Sequence, residues 1–330
     1  MEEDLYVIQN LHGLIRPHLP CDQSRILAVK YSKFGTDDYG LRILKVLVEL
    51  VNTTTGEDWI LEALAKVLPR HCPDLVKARF AREIGVHTSI QNTIDLFLRE
   101  KGDKADFFAC SFGGRLNLNG NKEIDNNAVL VLEDCEASVC GSSIYTLMDT
   151  KIGFNLETTQ AILKSLAKFH TSTIALKLQN PEEFNTKILS NLPQIDEQQR
   201  FSIEIIENVR ESWSTFCHGN LQIKNILIRN AEIKFINFQE CQYNSPLTDV
   251  LYFLFSSVQL EVLHQHLDNL IELYFTNFHL FLRQFNNDNN SNFSRHSFNQ
   301  ELKTTASKYQ LFYKTLNVEL GKEFDKLINK

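Results

Sequence analysis

Cys217-His218-Gly219-Asn220-Leu221-Gln222-Ile223-Lys224-Asn225-Ile226-Leu227 is the stretch on which the reading of this chain turns. It sets a histidine, a polar residue two positions on, and an asparagine five beyond that, ahead of a short apolar run. Ile226-Leu227-Ile228 and Ile233-Lys234-Phe235-Ile236 then flank Arg229-Asn230-Ala231-Glu232, which predicts a hairpin within 214–237. The surroundings read as helical. In 155–178, Leu156, Ile162, Leu163, Leu166, Phe169 and Ile174 recur on one face. A second helix is expected over 198–211, an aromatic-rich helical run over 247–282, a polar loop over 286–292, and a final pair of helices in 297–330.

The chain before this region is richer in strands. Two apolar runs, 41–51 and 59–68, surround the turn cluster Asn52-Thr53-Thr54-Thr55-Gly56-Glu57-Asp58 and predict a β-hairpin, although 61–66 alone also suits a helix. Two more strands are expected in 105–117 and 128–133, with a turn at Asn117-Leu118-Asn119-Gly120-Asn121. Between these pairs, 74–100 has no proline and places Phe80, Ile84, Ile90, Ile94 and Phe97 near helical spacing, as one long or broken helix. A short amphipathic helix is expected over 5–14. No internal repeat is evident, and the order suggests α+β halves with a boundary near 133–140.

Composition bounds the function. The 330 residues carry 34 Lys plus Arg against 41 Asp plus Glu, a net charge of −7. That surplus argues against a nucleic-acid-binding surface or a polybasic membrane anchor. The acidic start Met1-Glu2-Glu3-Asp4 does not read as a signal peptide. The most apolar run, 250–258, is about half the length a membrane span needs. The 7 cysteines are scattered, with no C-x-x-C pair, so free thiols and a cytoplasmic location are expected and a structural zinc site is not.

The quoted stretch resembles the catalytic loop of the protein-kinase-like superfamily, His-x-Asp, four residues, Asn. There the Asp accepts the proton of the attacking hydroxyl and the Asn holds Mg²⁺. Twelve residues after Asn225, Ile236-Asn237-Phe238-Gln239 falls where the second metal-binding Asp follows a short hairpin. Tyr243-Asn244-Ser245-Pro246-Leu247-Thr248-Asp249-Val250-Leu251-Tyr252-Phe253-Leu254-Phe255-Ser256-Ser257 sharpens the match. It looks like the insect ecdysteroid-kinase-like family, in the choline-kinase-like branch of the aminoglycoside phosphotransferases, with its motifs HGDLWxxNxLF, IDFQ and SPxxDLxYFLFSS.

The resemblance extends backwards. Ala65-Lys66-Val67-Leu68-Pro69 is similar to the family's VKxLP, whose Lys holds nucleotide phosphates. Phe80-Ala81-Arg82-Glu83-Ile84 is similar to FxxEI, whose Glu pairs with that Lys. Val129-Leu130-Val131-Leu132-Glu133-Asp134 resembles the strand into the hinge, and Leu166-Ala167-Lys168-Phe169-His170 resembles LAxFHA. Tyr39-Gly40 lies where the nucleotide-covering turn belongs. The similarity runs from about 39 to 285.

The resemblance implies a two-lobed, protein-kinase-like α+β fold. A small β-rich N-lobe, 1–134, would carry the Glu83 helix, and a larger helical C-lobe, 135–330, the catalytic-loop hairpin 214–240. The hinge would lie at 133–135, with nucleotide in the cleft of that fold. It further implies ATP and Mg²⁺ as cofactors and a small hydroxylated molecule, such as a steroid, as partner. Lys66, Glu83 and Glu133 are the implied nucleotide residues, Asn220 and His218 the catalytic-loop residues, and Asn225 and Asn237 the metal positions. His218 and Asp249 are expected to brace the loop. His170 reads as a core or helix-face histidine, and 252–255 as core packing.

Two positions depart from the pattern. The catalytic Asp is Asn220 and the metal-binding Asp is Asn237. An amide accepts no proton at neutral pH, and a general base is worth about 10²–10⁴ in rate. Asn237 brings no charge to Mg²⁺, whose protein sites lean on carboxylates. Glu240 lies three residues too far along to replace it simply. Three readings stay open at this point: a nucleotide- or small-molecule-binding relative with impaired phosphotransfer, a working ATP-dependent small-molecule kinase, and a non-catalytic protein-interaction module.

Overall fold

A computed structural model of the chain describes residues 7–19, 23–136, 145–149, 151–192, 212–286 and 291–316, together with 322, 325 and 327. Packing divides the chain into two units, Met1–Thr88 with Ala109–Ile144, and Ser89–Phe108 with Tyr145–Lys330.

The first unit is built on five antiparallel strands in the order β1-β2-β3-β5-β4: β1 Ser24–Thr36, β2 Arg42–Asn52, β3 Asp58–Val67, β4 Ser111–Arg115 and β5 Val129–Glu133. The β2–β3 hairpin forms where the apolar runs predict it, pairing Leu44 with Ala65 and Val46 with Ala63. Alternation gives the sheet two apolar faces. Leu44, Val46, Val48 and Leu50 pack with Ala63, Ala65 and Val67, under Leu11 and Ile15 of the short helix α1, Leu11–Ile15. The opposite face gathers Leu41, Leu68, Leu130 and Leu132 beneath Phe80 and Ile84 of α2, Asp74–Gly85. Lys66, one residue out of step with Ala65 and Val67, therefore stands on the α2 face.

β1 has no forerunner in the sequence reading. It is the edge strand, with Leu27 and Phe34 about half exposed and two register shifts, so no clean alternation marks it. The expected helix over 74–100 is broken: a π-helical turn, Val86–Ile90, separates α2 from α3, Gln91–Glu100. The division between units falls in that turn.

Ser89–Phe108 groups with the second unit. The reason is local. Lys168 of α4, Leu156–Gln179, holds Asp103 at 2.7 Å and Asp106 at 3.0 Å. Phe107 and Phe108 both pack edge-on against Phe169, and the Phe235 N–H donates to the Phe107 carbonyl at 2.8 Å.

The second unit is mainly helical. Asn155 caps α4 by accepting the Thr158 N–H at 2.9 Å. After the short α5, Pro181–Glu183, the expected run 247–282 resolves into α6, Pro246–Ser257, and α7, Leu260–Phe285, interrupted at Val258, where the chain bridges to Phe154. Arg295–Leu316 forms α8. The hairpin of β8, Ile226–Arg229, and β9, Glu232–Phe235, forms as predicted, with β6, Thr146–Leu147, on its edge. A two-stranded ribbon pairs β7, Thr215–Cys217, with β10, Gln242–Asn244. The helix expected over 198–211 and the end of the boundary region at 137–140 lie outside the described residues. Among the described residues, no helix is long and apolar enough to cross a membrane.

Candidate functional site

Asp249 organises the loop. It sits in the first turn of α6, almost wholly buried. Its Oδ2 accepts the His218 N–H at 2.6 Å and its Oδ1 the Gly219 N–H at 2.9 Å. His170, fully buried on α4, donates from Nε2 to Asp249 Oδ2 at 3.2 Å and accepts at Nδ1 from the Tyr274 hydroxyl at 2.9 Å. Burial pushes the Asp249 carboxyl up, but the hydrogen bond from His170, the neighbouring imidazoles and the Gly219 N–H outweigh it and hold it below the usual range. Burial also drives His170 down and Tyr274 well up. The chain is therefore phenol, neutral imidazole, carboxylate, with every donor matched.

Cys217 completes a buried His170–Cys217–Asp249 cluster of metal-type donor atoms. Burial raises its thiol well above the ordinary value, and Sγ donates to the Asn244 and Ser245 carbonyls at 3.3 and 3.4 Å. As built, the S–H is directed at two backbone carbonyls, the packing contact of a buried cysteine.

The loop that leaves this hub is tightly specified. Gly219 has φ +78°, and a Cβ there would lie 1.9 Å from the Glu240 carbonyl oxygen, so only glycine fits. His218 Nε2 donates to the Ile236 carbonyl at 2.8 Å, which leaves Nδ1 to accept the Asn220 N–H at 3.2 Å. The expected bracing roles of His218 and Asp249 thus have a concrete geometry.

The three asparagines lie together. Asn225 Nδ2 donates to the Asn220 carbonyl at 2.7 Å, and Asn237 Nδ2 donates to Asn225 Oδ1 at 2.8 Å. Asn237 takes the left-handed conformation, φ +66°, which asparagine adopts more readily than most residues. The Asn220 side-chain oxygen accepts from Gln222 Nε2 at 2.7 Å and from the Tyr252 hydroxyl at 3.2 Å. These two donors match the two lone pairs of an amide oxygen. Sequence reading does not single out Gln222, and it places Tyr252 with 253–255 in core packing, which the structure corrects for Tyr252. Phe253, Leu254 and Phe255 are core as expected, while Tyr252, on the more open side of the same helix, reaches the loop.

In the first unit, Lys66 Nζ lies 2.6 Å from Glu83 Oε1, both buried, so β3 and α2 bring the two implied nucleotide residues together. Asp37 Oδ2 stands 3.9 Å from the same ammonium. No sequence signal marked Asp37, whose approach depends on how the β1–β2 turn folds. Glu133, at the end of β5, accepts the Cys110 N–H at 2.8 Å through its side chain and donates its own N–H to the Cys110 carbonyl at 2.9 Å.

The donor sets differ in what they fit. A buried Lys66–Glu83 pair suits an anionic phosphate. The Asn225–Asn237 pair does not suit a divalent cation as built, since an N–H, not a lone pair, faces the Asn225 oxygen and neither group is charged.

A family model described as ecdysteroid kinase-like matches residues 35–209 and 194–287. A search of curated proteins finds no match. Among solved structures, amicoumacin kinase hAmiN in complex with AMP-PNP, Ca²⁺ and Ami is 13% identical, with 99% of this chain and 96% of that chain covered and a TM-score of 0.36. Choline kinase from Cryptosporidium parvum Iowa II is 9% identical, with 96% and 92% covered and a TM-score of 0.40. A choline/ethanolamine kinase family protein from Mesorhizobium loti is 9% identical, with 91% and 93% covered and a TM-score of 0.31. Likenesses this loose transfer no residue roles.

Proposed function

Because the chain belongs to the ecdysteroid kinase-like family, we propose that it binds a nucleotide and a small hydroxylated molecule, such as a steroid, with phosphoryl transfer impaired at two amides. The observation that carries this reading is the hydrogen bond from Asn237 Nδ2 to Asn225 Oδ1. It puts a donor where the family's pattern has an anionic metal ligand. Asn220 supports it from the other side: its oxygen is held by Gln222 and Tyr252, and no protonation state of an amide supplies a base. Phosphoryl transfer depends on metal electrostatics and positioning, so losing the charged ligand costs more than losing the base. Lys66 would hold the phosphates, with Glu83 fixing its ammonium.

A cytoplasmic setting belongs to the same proposal. The described cysteines, Cys72, Cys110, Cys135, Cys217 and Cys241, are all free thiols, as a reducing compartment keeps them.

A working ATP-dependent kinase is the second reading, favoured by the Lys66–Glu83 pair and the braced His218. Thermal unfolding with ATP, with and without Mg²⁺, separates the two when run beside the double variant Asn220→Asp/Asn237→Asp. Ligand at 100 times its Kd stabilises by about 2.7 kcal/mol. The expected wild-type shift is independent of metal, while the double variant becomes Mg²⁺-dependent and gains phosphotransfer. Ordinary turnover by the wild type would favour the second reading. A flat response to every nucleotide would favour a protein-interaction module instead.

A further inference from the structure

The turn between β1 and β2 carries a contact that the family resemblance does not ask for. Asp37 is the first residue after β1 and its side chain is buried, as are those of Lys66 and Glu83. Its two oxygens have separate tasks. Oδ1 accepts the N–H groups of Tyr39 at 3.0 Å and Leu41 at 2.9 Å and so shapes the turn. Oδ2 faces Lys66 Nζ at 3.9 Å. The turn is also tied to the helix that bears Glu83: the Arg79 guanidinium lies 4.6 Å above the Tyr39 ring. Backbone bonds close it further, Asp37 N–H to the Leu41 carbonyl and Gly40 N–H to the Asp37 carbonyl, with Gly40 at φ +86°.

One ammonium thus stands between two carboxylates, and the trio has a net charge of −1. We propose that Asp37 is a built-in anion at Lys66, which competes with the phosphates of an incoming nucleotide and sets how much negative charge the site accepts. This rests on the reading that Lys66 holds nucleotide phosphates. Glu83 is the permanent partner, at 2.6 Å in charge-assisted range. Asp37, at 3.9 Å, is the looser and displaceable one. A buried carboxylate repels an arriving phosphate strongly, because screening there is weak. The site therefore discriminates against polyphosphates relative to uncharged nucleosides, and a folded turn is the state in which it does so.

The test compares wild type, Asp37→Asn, Asp37→Ala and Lys66→Met for binding of ATP and of adenosine by calorimetry. Asparagine keeps the oxygen that caps Tyr39 and Leu41 and removes only the charge, so it separates electrostatics from turn structure; alanine removes both. The expected result is about tenfold tighter ATP binding in Asp37→Asn with adenosine affinity unchanged, and loss of ATP binding in Lys66→Met. Equal ATP affinity in wild type and Asp37→Asn, with binding still lost in Lys66→Met, overturns the proposal and leaves the nucleotide reading standing. A parallel gain for ATP and adenosine in Asp37→Asn also overturns it, since the effect would then be turn opening. No binding to any variant removes the nucleotide reading and the proposal together.

Discussion

Asn237 donates its side-chain N–H to Oδ1 of Asn225 at 2.8 Å, so two neutral residues are joined at the positions that the sequence resemblance implies as metal ligands. Asn225 is nearly wholly buried and passes its own N–H to the Asn220 carbonyl.

Asn237→Asp should reverse that balance. A carboxylate cannot donate to Asn225, and two acceptors would then face each other. Without metal the variant should lose about 1–3 kcal/mol of stability, the cost of an unmatched polar contact. Adding Mg²⁺ should restore it, whereas wild type should not respond. Thermal unfolding in EDTA and in Mg²⁺ reads this directly, and identical curves for the variant in both would contradict it.

The buried histidine chain makes stability depend on pH. His170 has its pKa lowered from 6.5, so below that value the unfolded chain takes a proton that the folded chain refuses. Stability is full above about 6.5 and falls as pH drops toward the lowered value. Asp249, lowered from 3.8, adds a second loss of the same sign in the acid range below that. His279, also lowered by burial, contributes in the first window. His170→Asn should therefore be less stable at neutral pH and show a shallower decline below pH 6.5 than wild type. Denaturant titrations across that range provide the comparison.

Gly219→Ala tests the closeness of the loop to Glu240. The added methyl would meet a carbonyl oxygen at 1.9 Å in a backbone conformation that costs a non-glycine residue about 1–2 kcal/mol on its own. Overpacking adds roughly 1–3 kcal/mol. The expected outcome is a loss of about 2–5 kcal/mol in chemical denaturation. Unchanged stability would mean that the Glu240 peptide moves freely.

Lys66 and Glu83 should behave as a buried ion pair. Lys66→Met leaves Glu83 as a buried anion and should cost about 3–5 kcal/mol, while Lys66→Met/Glu83→Gln should recover much of it. A double-mutant cycle in urea measures the coupling, and additive losses would show that the pair contributes no interaction energy.

Sequence reading located what periodicity and spacing control. The β2–β3 hairpin follows from two apolar runs about a turn cluster, and α4 from its apolar stripe. His218, Asn220, Asn225 and Asn237 come from the motif resemblance, and they do lie together. β1 is hard to read because two register shifts break the alternation of its core-facing Ile26, Val29 and Tyr31. Ser89–Phe108 packs with the second unit, which a helix pattern alone does not foretell, since it does not say which core receives the helix; Lys168 and Phe169 decide that through tertiary contact. Tyr252 was hidden in an aromatic run whose other members are core, and Asp37 in a turn whose fold is set by its own side chain.

The placement of Ser89–Phe108 has a consequence for biosynthesis. The two units are interleaved along the chain, so order of synthesis and order of folding cannot coincide. Phe107 and Phe108 leave the ribosome well before Phe169, and long before Phe235 and Phe238, the rings that bury them. Meanwhile the first unit's sheet stays open until β5 arrives to join β3 and β4. A nascent chain must therefore carry an unsheltered aromatic pair through the completion of its first unit, an interval in which such surfaces invite aggregation. For the same reason, severing the chain near 134 would not yield two independent pieces: the first would display Phe107 and Phe108, and the second would lose the segment that pairs with Lys168.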